Sequence, residues 1–168
     1  MKAILGAVSA IICLAGGVQA AALRACDVTL DVIDPDPHGT HVRATPGGTV
    51  IATLNESPGV DDWIEAHVIG QSGDWFLIDR ADELGDNEKT IFRGKGYLHR
   101  SVLGASGMMN GVPLWSDHDE KSAKVASWTA GDQTVTFLDC WGAFAKIRIK
   151  EGLGWAEGLC TNQRTTCP

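Results

Sequence analysis

"HVIGQSGDWFLI" (residues 67–78) and "TFLDCWGAFAKI" (residues 136–147) are two versions of one pattern. Each begins as an alternating apolar and polar run, breaks at a glycine (Gly73, Gly142), and resumes two positions later with an aromatic ring (Trp75, Phe144). Successive side chains on a strand point to opposite faces, and glycine tolerates the positive φ of a tight turn. The pattern therefore predicts a β-hairpin in each place. The glycine makes the turn, and the ring that follows starts the return strand, pointing inward.

The pattern extends in both directions. Upstream of each hairpin lies another apolar run, "TVIATL" (49–54) and "AKVASW" (123–128). Downstream, each copy closes on Gly-x-Gly-aromatic, "GKGY" (94–97) and "GLGW" (152–155). Ile78 then matches Ile147, Gly96 matches Gly154 and Tyr97 matches Trp155. "GTVIATL", "EAHVIGQ", "WFLIDR", "QTVTFLD" and "FAKIRIK" read as strands, and no window of helical length carries a 3.6-residue stripe free of glycine or β-branched interruption. Short strands at this spacing, with 20 glycines for turns and six tryptophans as anchors, predict an all-β protein of small barrels or sandwiches.

At these residues the chain resembles tandem bacterial SH3 domains. Such domains open with D-x-x-G-x-x-V-R-x-x-P, continue through a G-x-W-x-x-V hairpin and close with G-W-V. The first copy has "DPHGTHVRATP" (36–46), "GDWFLI" (73–78) and "GYL" (96–98); the second has "VPLWSD" (112–117), "GAFAKI" (142–147) and "GWA" (154–156). The second copy departs at its opening and has phenylalanine where tryptophan is usual. The tail "GLCTNQRTTCP" (158–168) resembles the Cys-ended tails of exported members. The resemblance implies two small SH3-like β-barrels in tandem, 26–104 and 112–168, joined by a linker at 105–111. It also implies a binding role toward cell-wall peptides or partner proteins, not recognition of proline-rich segments.

The first 20 residues read as a signal peptide: Lys2, an apolar run over 3–14, then Val18-Gln19-Ala20 before the expected cleavage, with Ala22 as the second choice. The run is too short to span a membrane. Cys13 follows two isoleucines and Cys26 follows Leu-Arg-Ala, neither a good context for lipid attachment. Export makes the protein periplasmic or secreted and sets the cysteine chemistry. Cys26, Cys140, Cys160 and Cys167 remain, an even number in an oxidising compartment, so two disulfides are expected. Cys160 with Cys167 would leave Cys26 with Cys140; Cys140 with Cys160 is the alternative. Without Lys2 the 14 basic residues fall by one against 21 acidic, so the formal net charge moves from −7 to about −8. An acidic chain with no Lys/Arg cluster is a poor nucleic-acid binder, whereas it suits a cationic protein partner.

Several stretches resemble sites. Residues 34–48 hold Asp34, Asp36, His38 and His41, but Asp36-Pro37-His38-Gly39 is a good β-turn and no metal is expected there. "SDHDEK" (116–121) reads as a solvated loop. A thiol nucleophile conflicts with paired cysteines, and no G-x-S-x-G elbow is present, so neither a catalytic residue nor a cofactor is expected. Trp75, Trp155 and Trp128 read as packed. Trp63, Trp115 and Trp141 read either as a partner-binding surface or as a seal between the barrels, with Trp115, Met108 and Met109 favouring the seal. Two long loops, 55–66 and 81–94, suggest binding elements; the first is expected to expose Trp63 beside Asp61 and Asp62. Asp61, Asp62, Trp63, Tyr97, Trp115 and Trp141 are thus the candidate contacts to a protein or peptidoglycan peptide. An immunity protein plugging a periplasmic wall hydrolase is one alternative, and a metal-dependent wall hydrolase or its accessory is another.

Overall fold

The computed structural model describes residues 22–57, 62–86, 88–105, 111–128, 135–159 and 161. The expected signal peptide, Asp61, most of the expected linker with Met108 and Met109, and Cys160 and Cys167 lie outside the described residues. The strands in chain order are β1 (Arg24–Val32), β2 (Thr40–Arg43), β3 (Val50–Leu54), β4 (Trp63–Ser72), β5 (Trp75–Leu84), β6 (Lys89–His99), β7 (Leu103–Ala105), β8 (Val112–Trp115), β9 (Lys124–Trp128), β10 (Val135–Trp141), β11 (Phe144–Ile149) and β12 (Gly152–Glu157). One 3-10 turn, Arg100–Val102, precedes β7. The protein is all-β, and every expected strand overlaps one of these.

The strand order across the sheet is β3-β2-β6-β5-β4-β1-β7-β10-β11-β12-β8-β9. Read from both ends, it is the same arrangement twice. A hairpin (β2–β3, β8–β9) is followed by a three-strand meander (β4–β6, β10–β12) whose last strand returns to pair with the hairpin's first. Around the hairpin turns the registers repeat residue for residue. Ser72 faces Trp75 across one turn as Trp141 faces Phe144 across the other, and Ile78 faces Gly96 as Ile147 faces Gly154. Gly73 and Gly142 have φ of 62° and 53°, the left-handed region that a two-residue turn requires. At Gly96 a Cβ would lie 2.3 Å from Val42 Cγ1, and at Gly154 one would lie 2.8 Å from Leu114 Cβ. Each closing glycine thus lets the last strand cross directly over the first.

The halves are not hydrogen-bonded apart from one another, as separate barrels would be. β1 and β7 pair at Asp31–Gly104 and Val32–Leu103; β1 also pairs with β4 of the first meander and β7 with β10 of the second, so the sheet is continuous. β7 begins inside the stretch read as the first unit and ends at Ala105, inside the stretch read as linker. A second tie lies at the start of β1: Asp27 N–H donates to the Gly142 carbonyl (2.7 Å), Gly142 N–H donates to the Ala25 carbonyl (3.1 Å), and Cys26 is disulfide-bonded to Cys140. Cys140 is therefore not the partner of Cys160. Closing a loop of 114 residues stabilises by about 4–5 kcal/mol in the loop-entropy picture. The core is continuous too: the Phe76 and Phe137 rings, one from each half, meet at 4.6 Å between centroids.

Two expected loops are shorter than the sequence suggested. β5 runs through Leu84 and β6 starts at Lys89, so most of residues 81–94 is hairpin. Ala81 and Glu83 face inward, and the buried Glu83 carboxylate is held by the Ser57 N–H, the Ser57 hydroxyl (3.1 Å) and Lys89 Nζ (2.8 Å). Likewise β4 starts at Trp63, inside the stretch 55–66.

Candidate functional site

Trp63 is not a loop tip. It pairs with Leu84 across β4–β5, is only 7% exposed, and its Nε1–H donates to Glu65 Oε1 (3.1 Å). The alternation that begins at Trp63 and Ile64 draws the indole into the protein. Its half-buried neighbour Asp62 accepts the Asp86 N–H (2.6 Å), tying down the β5–β6 turn. The expected Asp61-Asp62-Trp63 plug therefore has no exposed ring. Thr161 also reaches this region: its buried hydroxyl donates to Glu65 Oε1 at 2.5 Å.

Trp141 behaves differently. It ends β10, beside the Gly142 turn, and is 48% exposed. The loop between β8 and β9 brings His118 against it, with ring centroids 4.6 Å apart and planes at 35°. His118 also meets Trp155 edge-on at 5.5 Å. Trp155, on β12, is mostly buried and pairs with the half-buried Trp115 of β8 and with Lys146 of β11. The loop that carries His118 is held by its own turn bonds: Ser116 N–H to the Ala123 carbonyl (2.8 Å), Ser122 N–H to the Asp119 carbonyl (2.9 Å), and Lys121 N–H to Asp119 Oδ1 (2.9 Å). His118 Nδ1 lies 2.6 Å from Asp117 Oδ1. "SDHDEK" is thus a built loop that sets a ring in place, not only a solvated one.

Cations flank these rings. Lys146 Nζ stands 5.5 Å from the Trp155 ring centroid, and the Arg24 guanidinium stands 5.8 Å from that of Trp141. Both lie within cation–π reach. Arg24 also pairs with Asp139 and donates to Gln71. It comes from β1, so this surface on the second half is completed by the first. The result is an aromatic platform of Trp141 and His118, backed by the buried Trp155, with Lys146 and the Asp139-paired Arg24 at its edges.

No family model, curated protein or solved structure matches the chain.

Of the sequence candidates, Trp115 and Trp141 are brought to one surface, while Tyr97 occupies the place in the first half that Trp155 has in the second, paired with Arg43. Trp75 is half-buried, and its neighbour Phe76 is the ring that points inward; Trp128 is fully buried. His118, Lys146 and Arg24 were missed. His118 carried a weak signal, three residues after Trp115 in a loop of turn formers, whereas Arg24 carried none.

The segment 34–48 folds as turn chemistry requires. Gly39 N–H donates to the Asp36 carbonyl (3.0 Å) with Gly39 at φ 88°, and Asp36 Oδ1 accepts the His38 N–H (2.9 Å) and meets His38 Nδ1 (3.0 Å). Among the described residues no group of three or more His, Cys, Asp or Glu is placed to hold a metal ion. His67 on β4 sits between two carboxylates, with Nδ1 2.7 Å from Asp79 and Nε2 3.0 Å from Asp27. Both of its nitrogens are thereby committed to an ion-pair staple across β1, β4 and β5. No helix among the described residues is long and apolar enough to cross a membrane.

Proposed function

We propose that this is an exported, non-catalytic binding protein of the bacterial envelope, made of two SH3-like units, that takes a cell-wall peptide on the Trp141–His118 platform. The observation that carries the reading is Trp141: a large ring nearly half exposed, at the end of a strand, braced by a second ring. Exposed aromatics held rigid in this way bind with little loss of side-chain entropy. The Lys146 ammonium suits a ligand that bears carboxylates, as wall peptides do, whereas Arg24 is already paired with Asp139. The twofold strand order supports a pair of SH3-like units sharing one seam. The Cys26–Cys140 bond suits an oxidising compartment.

The test is co-sedimentation with purified peptidoglycan at low salt. The full chain without its leader pellets, and Trp141→Ala lowers the bound fraction by about tenfold or more, the scale of an interface hot spot. Because Trp141 is half exposed, the variant unfolds at nearly the same urea concentration. Failure of the unaltered protein to pellet, or equal pelleting of the variant, counts against the reading.

A further inference from the structure

The two halves present equivalent strand mouths with different chemistry. Trp75 faces His99 as Phe144 faces Glu157, and Arg43 faces Tyr97 as Trp115 faces Trp155. In the second half this region borders the aromatic platform. In the first half it opens into a groove of about 180 Å³ whose lining includes Asp34, Asp36, His41, Arg43, Trp75 and His99.

Each part is held in place. The half-buried Trp75 ring meets the His99 ring edge-on at 5.1 Å and forms one wall of the groove. Arg43 Nη1 donates to the Gly48 carbonyl (2.7 Å), which anchors one edge of the guanidinium, and Arg43 makes no ion pair among the described residues. His99 Nδ1 accepts the Ser101 N–H (3.3 Å), so the neutral ring carries its proton on Nε2 as a donor. Asp34 stiffens the loop, its Oδ1 accepting the Asp36 N–H (3.1 Å) and its Oδ2 the Thr40 hydroxyl (3.0 Å). Asp36 is held below the usual carboxylate range, chiefly by the His38 backbone N–H and then by its ring, so it stays ionised at neutral pH.

One guanidinium and two carboxylates therefore share a groove with an indole wall. An anion would meet Asp34 and Asp36, a simple cation would leave Arg43 unmatched, and an apolar ligand would strip water from all three. From this juxtaposition we infer that the first-half groove is a second binding site, for a zwitterionic ligand. Its carboxylate pairs with Arg43, its ammonium with Asp36 and Asp34, and the aliphatic chain between them lies on Trp75. A peptide end carrying a basic residue has this chemistry. The inference does not rest on the platform around Trp141.

The probes are Nα-acetyl-lysine, its C-terminal amide, and Nα-acetylnorleucine, titrated into the full chain without its leader and followed by NMR at Trp75 and His99. Nα-acetyl-lysine shifts both residues saturably, and the other two probes bind about tenfold more weakly, each lacking one charge-assisted contact. Arg43→Met weakens Nα-acetyl-lysine by about tenfold and leaves the amide within about twofold; Asp36→Asn does the same with respect to the norleucine probe. Trp141→Ala changes none of these titrations. Should Arg43→Met fail to fold, Arg43→Lys reads the same contact through an intermediate loss specific to carboxylate probes. Absence of saturable shifts at millimolar probe, or equal losses for all three probes in a folded variant, overturns the site.

Discussion

The closing glycines carry the most information of any single residues. Gly154 has no unusual φ, yet a Cβ there would lie 2.8 Å from both Leu114 Cβ and the Trp115 carbonyl oxygen. The requirement is close approach, not backbone freedom, and because one neighbour is backbone, no rotamer change relieves it. Gly154→Ala is predicted to destabilise the protein by about 1–3 kcal/mol, the usual scale of overpacking, read as a lower urea midpoint at unchanged slope. An unchanged midpoint would mean that the strand crossing is loose. Glycine positions were legible in the sequence because turns and crossings admit few other residues. Ring directions were not. In "WFLI" four apolar residues stand in a row, so alternation cannot say whether Trp75 or Phe76 faces in; packing against Phe137 selects Phe76.

Hairpins were legible as elements wherever polar and apolar residues alternate, and illegible where charge interrupts. The ends of β5 and β6 hide an inward carboxylate, Glu83, whose burial is satisfied only by Ser57 and Lys89 from elsewhere in the chain. β1 carries the same alternation at Val28-Thr29-Leu30-Asp31-Val32 and was passed over; what the sequence does not encode is its pairing on both sides by distant segments, β4 and β7. The staple joining β1, β4 and β5 is His67. Burial alone would pull its pKa down, but hydrogen bonds and charge from Asp27 and Asp79 outweigh this and leave it raised. A histidine raised above its unfolded value, near 6.5, contributes stability that is full below that pH and is lost as pH rises through the folded pKa. The urea midpoint of the unaltered protein should therefore decline from about pH 6 upward by more than that of His67→Gln, and salt should reduce the difference because Asp27 is largely exposed. Parallel declines in the two proteins would show that the staple does not couple to folding.

At the scale of the whole molecule, the internal duplication was legible and the joining was not. Two copies of a glycine-and-ring pattern could be counted from the chain, but the β1–β7 pairing, the shared Phe76–Phe137 core and the Cys26–Cys140 bond are long-range choices that local pattern does not encode. That joining matters for the site, because Arg24 of the first half stands beside Trp141 of the second. It also leaves the two strand mouths free to differ, one aromatic and one charged. The six tryptophans give the platform its most direct test, since each has an indole N–H that reports on its own surroundings. Titration of residues 21–168 with soluble peptidoglycan fragments, followed by indole N–H NMR, should move the Trp141 signal saturably and leave the buried Trp63 and Trp128 signals in place. A stationary Trp141 signal at saturating fragment would contradict the account.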